Sequence, residues 1–166
     1  NRNSVAVLTG EETKEELKAL GKDVFQYYGL GCRNVSKLMI PEGYELSKFF
    51  EGIFDYSYVM DNKKYFNNYE YNRTVYLMNS LKFLDNNFLM LKEDIGIASP
   101  VGVLYYERYK DKDSLKTKLK ADSQSIQCVV SSDASIFKPV VSFGNTQNPS
   151  VFDYADGVDI INFLIK

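Results

Sequence analysis

The sequence predicts an α/β fold with a mostly parallel sheet flanked by helices. Short runs rich in β-branched residues alternate with segments in which apolar residues recur every three or four positions, as in βαβ units. The chain has 166 residues, of which 45% are hydrophobic and 25% charged, so it has the size and composition of one soluble domain. We therefore treat residues 1–166 as a single domain.

The first strand and helix come at the start of the chain. Residues 4–8 form a β-branched run that suits a buried strand. Residues 11–28 have the apolar period of an amphipathic helix. Thr9 and Glu12 have the spacing of a capping box, which predicts that this helix starts directly after Thr9, with the acidic residues in its first turn.

A second strand and a second helix follow, which gives the alternation of strand and helix that is typical of a parallel sheet. The strand is predicted at 37–40 and the helix at 44–54, with the turn signal Pro41-Glu42-Gly43 between them. Residues 55–73 are dense in Tyr, Asn, Lys and Phe and have no clean period. They predict a long loop lying over the core, with stacking of a ligand on its aromatic rings as the alternative.

The second half of the chain predicts shorter elements of the same two kinds. Two helices are expected at 75–84 and 112–120, and three strands at 88–91, 101–106 and 127–130. The basic helix at 112–120 is predicted to be a solvated face and not a binding patch.

Composition excludes several kinds of function. The net charge is −2, so nothing indicates a nucleic-acid or anionic-membrane partner, and no apolar run is long enough for a membrane span. The sequence contains no histidine, which excludes Ser-His-Asp and Cys-His catalysis and Cys/His zinc sites within this chain. Only two cysteines are present, which favours a reducing, cytoplasmic setting.

Cys32 follows the first long helix, on a turn between glycines. Gly29 and Gly31 permit backbone conformations that other residues avoid, so the thiol is expected to be presented and not packed. From the residues alone, Cys32 is either a catalytic nucleophile or a structural thiol. The helix C-terminus disfavours a thiolate, whereas Arg33 and Lys37 favour one. Cys128, in an apolar strand, is predicted to be an inert core thiol.

The cysteine turn resembles that of the aldehyde dehydrogenase superfamily. Phe25, Gly29 and Cys32 have the separations of the family motif Phe-x-Asn-x-Gly-Gln-x-Cys, and the chain departs from it at Tyr27 and Leu30. The sequence around Cys32 more closely resembles the acyl-CoA reductase branch, which includes the fatty-acyl reductase of bacterial light-emitting systems. Two further segments resemble this family: Ser99-Pro100-Val101 is similar to its Gly-Pro-Val segment, and 153–157 to the C-terminus of the branch.

This resemblance implies an NAD(P)H-dependent acyl-CoA reductase. Cys32 would form an acyl-enzyme thioester, which hydride then reduces to a fatty aldehyde, and the neighbouring Gly31, Arg33 and Asn34 would contact the acyl-CoA substrate. Glu93 would contact the cofactor ribose. NADPH or NADH would be bound mainly by a nucleotide-binding domain that this chain does not contain, because we interpret the chain as a piece of a longer protein.

The same resemblance implies that the tail, residues 132–166, leaves the domain as an arm that joins subunits into a homo-oligomer. Two other classes of function stay open. One is a cysteine-dependent acyltransferase that passes the acyl chain to an acceptor without reduction. The other is a non-catalytic structural or oligomerisation domain whose cysteine is incidental.

Overall fold

The computed structural model describes residues 2–149, together with residues 162 and 164. Seven strands and four α-helices are present in this part of the chain. The strands are β1 (Asn3–Val7), β2 (Val35–Pro41), β3 (Leu84–Asp85), β4 (Met90–Glu93), β5 (Val103–Tyr109), β6 (Ile126–Val130) and β7 (Val140–Val141). The α-helices are α1 (Lys14–Phe25), α2 (Leu46–Gly52), α3 (Lys63–Met78) and α4 (Lys112–Ala121), with short 3-10 helices at Gln26–Gly29, Phe54–Asp61 and Ser123–Ser125.

All seven strands belong to one sheet, in the order β3-β4-β5-β2-β1-β6-β7. Every neighbouring pair is parallel except β3 and β4, which are antiparallel. β1 lies between β2 and β6, so Val5 pairs with Lys37 on one side and with Val129 on the other. The central strands are buried on both faces, as parallel sheets are.

Helices cover both faces of the sheet. Alternate residues of β1 point to opposite sides, so Ala6 packs in the core under α1, α2 and α3, whereas Val5 and Val7 pack with α4. Leu115 and Leu119 are the buried residues of α4. The predicted α/β class and mostly parallel sheet are therefore confirmed.

The predicted loop at 55–73 is wrong. This stretch holds a 3-10 helix at Phe54–Asp61 and most of α3. Tyr65, Tyr69 and Tyr76 are the buried residues of α3, at helical spacing. The tyrosine rings fill the core. The hydroxyl groups of Tyr65 and Tyr69 donate hydrogen bonds, so tyrosine forms the buried face of this helix.

The predicted start of the first helix is also wrong. The capping box is made by Thr13 and Glu16, and α1 begins at Lys14. The Glu12 carboxylate instead accepts hydrogen bonds from the Thr9 N–H, the Thr9 hydroxyl and the Gly10 N–H. Glu12 therefore belongs to a separate turn that precedes the helix.

The predicted helix at 75–84 belongs to α3 only as far as Met78. Ser80 takes a left-handed backbone conformation, with φ of 53°, which breaks the helix, and Leu84 then enters β3. The other predicted strands and helices are present where they were expected, with ends shifted by at most three residues.

The described part of the proposed arm, residues 132–149, lies against the domain. Val140–Val141 extends the sheet beside β6, and Phe143 and Thr146 are buried. The remainder of 132–166 lies outside the described residues apart from 162 and 164, and the arm stays a prediction there.

Candidate active site

The chain reverses direction between α1 and Cys32 through left-handed backbone. Tyr27 and Tyr28 have φ of 55° and 56°, and Gly29 has φ of 74°. Left-handed conformations cost side-chain-bearing residues roughly 1–2 kcal/mol each. Two consecutive tyrosines in this region mark a turn whose shape is fixed by its surroundings, as is common beside functional sites.

Cys32 lies at the tip of the next tight turn. The Asn34 N–H donates to the Gly31 carbonyl oxygen over 3.0 Å, which closes the turn around Cys32 and Arg33. Cys32 is exposed. Its N–H donates to no other described residue.

The Asn34 side chain holds this turn against the end of α1. It is 3% exposed, and its Nδ2 donates to the carbonyl oxygens of Asp23, Val24 and Gln26 over 2.8, 3.2 and 2.9 Å. Its Oδ1 accepts from the Gly31 N–H over 2.7 Å. The amide therefore joins the helix end to the cysteine turn.

Gly31 is required by this packing. A Cβ atom there would lie 2.5 Å from the Oδ1 atom of Asn34 and 2.9 Å from the Nε2 atom of Gln147. The role of this glycine in the structure is to allow that close approach.

A second set of hydrogen bonds ties the turn to the segment after β7. The Nε atom of Arg33 donates to the Thr146 carbonyl oxygen. Thr146 in turn donates from its N–H and its hydroxyl to the buried Asp23 carboxylate, over 3.0 and 2.8 Å, and the Gly144 N–H donates to the same carboxylate over 2.6 Å. Burial raises the pKa of Asp23, although these hydrogen bonds oppose the shift.

The structure therefore brings Gly31, Cys32, Arg33 and Asn34 together, with the side chains of Arg33 and Asn34 already engaged inside the protein. Sequence reasoning missed Asp23 and Thr146. Asp23 follows Leu20 by three positions, on the buried face of α1, and a carboxylate on an apolar face was the signal that could have found it.

A small cleft lies beside the cysteine turn, at the end of the sheet where β2 and β5 begin. Tyr28 and Gly29 line it on one side and the segment 99–103 on the other, around a volume of about 30 Å³. This is the room of about one water molecule. The Ser99-Pro100-Val101 segment therefore lies at the same end of the sheet as the cysteine turn.

Glu93 lies elsewhere. It ends β4, is exposed, and pairs with Tyr106, which in turn pairs with Leu38. Glu93 is therefore level with the middle of β2, whereas Cys32 precedes the start of that strand. Its neighbour Asp94 interacts with Lys92, and hydrogen bonds from Lys92 and from the Gly96 N–H hold the pKa of Asp94 below its ordinary value.

The starts of three helices are occupied by their own capping side chains, whereas α2 has no side-chain cap. The exposed N–H groups at the starts of α1, α3 and α4 are capped by Thr13, Asn62 and Asp111. Glu15 and Glu16 add negative charge to the first turn of α1, which would repel a pyrophosphate.

No group of three or more His, Cys, Asp or Glu side chains among the described residues is arranged to hold a metal ion. No helix in this part of the chain is both long and apolar enough to cross a membrane.

The fold, a mostly parallel sheet with helices on both faces, is similar to that of aldehyde-dehydrogenase-like structures. One similar structure is an NAD-dependent aldehyde dehydrogenase from Sinorhizobium meliloti, with a TM-score of 0.53 and 10% identity over 81% of this chain. Another is an oxidoreductase from Marinobacter aquaeolei, with a TM-score of 0.52 and 11% identity over 90% of this chain.

This chain spans 33% and 39% of the lengths of those two proteins. No family model matches the sequence, and no curated protein matches it. At such low identity the likeness establishes the fold alone.

Proposed function

We propose that this chain is the catalytic portion of an acyl-CoA reductase in which Cys32 carries the acyl group. The observation that supports this most directly is the exposed Cys32 thiol at the tip of a turn fixed on both sides by buried hydrogen bonds. A structural cysteine is usually buried, as Cys128 is at 7% exposure. The resemblance of the turn to the acyl-CoA reductase branch supports the same reading.

In the proposed first step, the Cys32 thiolate attacks the carbonyl carbon of the acyl-CoA thioester. The bond from that carbon to the coenzyme A sulfur breaks, coenzyme A leaves as a thiolate, and the acyl group stays on Cys32. The N–H of Cys32, which donates to no other described residue, is a donor for the oxyanion in this proposal. This step needs no histidine, because the attacking and leaving groups are both thiolates.

The second step is the reduction of the acyl-cysteine to an aldehyde. A nicotinamide cofactor, NADPH or NADH, supplies the hydride when it is bound. The capped starts of α1, α3 and α4 do not fit the cofactor's pyrophosphate, and we propose that another part of the protein binds most of the cofactor. Glu93 as a ribose contact stays a prediction.

The surface next to Cys32 supports an apolar substrate. Tyr27 is 61% exposed and Leu30 is 70% exposed, and both lie within five residues of the thiol in the sequence. Exposed apolar side chains grouped beside a reactive group are typical of a surface that contacts another apolar body. An acyl chain is such a body.

Mass spectrometry of the full-length protein after incubation with an acyl-CoA tests the proposal. We expect the acyl mass on the peptide that contains Cys32, with one coenzyme A released for each acyl group. The matched controls are Cys32→Ser, which should remain unmodified, and Cys128→Ser, which should be acylated like the wild type. Acylation of Cys128 alone, or of neither cysteine, would exclude the proposed function.

Addition of NADPH or NADH to the acylated protein then separates reductase from acyltransferase. A reductase loses the acyl mass and releases an aldehyde. An acyltransferase keeps its acyl group until an acceptor is added, and its acyl-cysteine does not respond to either cofactor.

A further inference from the structure

The cysteine turn starts at the negative end of a helix. The last carbonyl groups of an α-helix have no partner within the helix, and together they carry negative partial charge. α1 ends at Phe25, so Cys32 follows this end closely in the chain. Such an end disfavours a thiolate, which leaves open how a nucleophilic cysteine is accommodated here.

The side chain of Asn34 occupies this helix end. An amide group has two N–H donors. In Asn34 they are shared among the carbonyl oxygens of Asp23, Val24 and Gln26, all within 3.2 Å of Nδ2. The positive end of the amide dipole therefore faces the carbonyl groups that carry the negative partial charge of the helix end.

The other end of the same amide holds the turn itself. Its Oδ1 accepts from the Gly31 N–H, and the Asn34 N–H bonds back to the Gly31 carbonyl oxygen. Both polar groups of Gly31 are thus bonded to Asn34, one residue before the cysteine. With 3% exposure and with every polar atom of its side chain in use, Asn34 has nothing left to offer a substrate.

We propose that Asn34 is a positioning residue for Cys32, which caps the carbonyl groups at the end of α1 and fixes the Gly31–Asn34 turn that presents the thiol. This inference rests on the nucleophilic role of Cys32 proposed above, and it replaces substrate contact as the role of Asn34. Asn34 acts through the turn and touches no reacting atom.

The pairing of these two tasks explains the residue type. Aspartate has the same shape but supplies no N–H donor when ionised, and it adds a negative charge to the helix end. Serine is too short to reach the α1 carbonyl groups and the Gly31 N–H at the same time. Both substitutions should therefore impair Cys32, and aspartate should do so more strongly.

The test measures the rate of Cys32 alkylation by iodoacetamide as a function of pH in the full-length protein. We expect Asn34→Asp to slow alkylation near neutral pH about tenfold and to move the rise of the rate to higher pH. Asn34→Ser should give a smaller change in the same direction. Continued protection of Cys128 from the reagent shows that each variant is folded, and Asn34→Ser keeps the test usable if the buried carboxylate of Asn34→Asp prevents folding.

Asn79→Asp is the matched control. The Nδ2 atom of Asn79 also donates to a carbonyl oxygen at the end of a helix, that of Val75 in α3, over 2.8 Å, but this residue is exposed and lies away from the cysteine turn. In Asn79→Asp, the rate of Cys32 alkylation as a function of pH should match that of the wild type. A profile shifted as far as that of Asn34→Asp would show a general charge effect and would overturn the inference.

Steady-state kinetics distinguish positioning from substrate contact. For a positioning residue, Asn34→Ser lowers kcat while KM for acyl-CoA stays close to the wild-type value. A raised KM with unchanged alkylation of Cys32 would return Asn34 to substrate contact and overturn the inference. Failure of the wild-type Cys32 itself to become acylated would instead overturn the proposed function, so the two failures are distinguishable.

Discussion

The ammonium nitrogen of Lys37 lies 2.7 Å from the Oε2 atom of Glu107, and Lys37 is only 1% exposed. The two residues stand on the adjacent strands β2 and β5, and the same ammonium group donates to the Ile95 carbonyl oxygen over 2.8 Å. Glu107 also binds Lys118 of α4, over 3.0 Å. A buried charge in the middle of the sheet therefore depends on one carboxylate.

Glu107→Gln should destabilise the protein strongly. The substitution leaves the Lys37 ammonium group buried without its counter-charge, and breaking a buried pair in this way costs about 3–5 kcal/mol. Urea unfolding followed by circular dichroism measures the change. Asp55→Asn is the control, because it removes the exposed pair between Lys18 and Asp55 and should leave the unfolding midpoint unchanged. Equal midpoints for both variants would contradict the prediction.

The same carboxylate predicts a dependence of stability on pH. Burial opposes the ionisation of Glu107, but hydrogen bonds from Lys37 and Lys118 outweigh it, so the pKa of Glu107 lies below its ordinary value of 4.5. The folded protein then binds fewer protons than the unfolded chain as the pH falls below that value, so stability is lost in this range. Unfolding free energies of the wild type and Glu107→Gln should converge as the pH is lowered from 6 to about 3. A constant difference across this range would be the contrary result.

Tyr65→Phe should destabilise the protein through one hydroxyl group. The Tyr65 hydroxyl donates to the Phe88 carbonyl oxygen over 2.8 Å, inside the core. Removal of the donor leaves that carbonyl buried and unsatisfied, at a cost of about 1–3 kcal/mol. Tyr71→Phe, on the exposed side of the same helix, should have no effect on the free energy of unfolding. If the two variants unfold together, the buried hydrogen bond contributes nothing.

Brief iodoacetamide treatment should alkylate Cys32 well before Cys128. Cys32 is exposed, whereas Cys128 is buried in β6, and access limits the reaction of a buried thiol. Peptide mass spectrometry at several times gives the two rates. Equal rates in the folded protein, or a preference for Cys128, would remove the main support for a catalytic Cys32.

The 166-residue chain alone should not bind NADPH or NADH at micromolar concentration. Among the described helices, capping side chains occupy the N–H groups at the starts of α1, α3 and α4, and the uncapped α2 has only seven residues. Isothermal titration calorimetry of this chain beside the full-length protein measures the difference. Micromolar binding by the chain alone would place the cofactor site within it.

The fold class could be predicted from the sequence because local patterns determine it. The helix face of Leu17, Leu20 and Val24 and the β-branched strands beside it are visible in neighbouring residues, and the structure has them. The helical period of α3 is hidden in the sequence, because exposed aromatic residues such as Phe66 and Tyr71 are interspersed with the buried Tyr65 and Tyr69.

The candidate site was predictable only in part, for a related reason. The turn glycines indicated an exposed Cys32, and the thiol is exposed. The support for that turn comes from contacts that no local pattern records. The hydrogen bond from Arg33 to Thr146 spans 113 residues of sequence, and that from Thr146 to Asp23 spans 123. Asn34 is local, but its buried amide depends on the way α1 ends.

The place of β1 between β2 and β6 also sets the order in which the protein can be completed during synthesis. Val5 pairs with Val129, so the middle of the sheet stays open until the ribosome has released almost all of the described chain. During that time β1 and β2 present a bare apolar edge to other nascent chains. Pairing of strands so distant in sequence is slow, because a long loop must close before the contacts form. Until β6 has formed, the open edge of β1 is therefore where we expect pairing with a wrong strand.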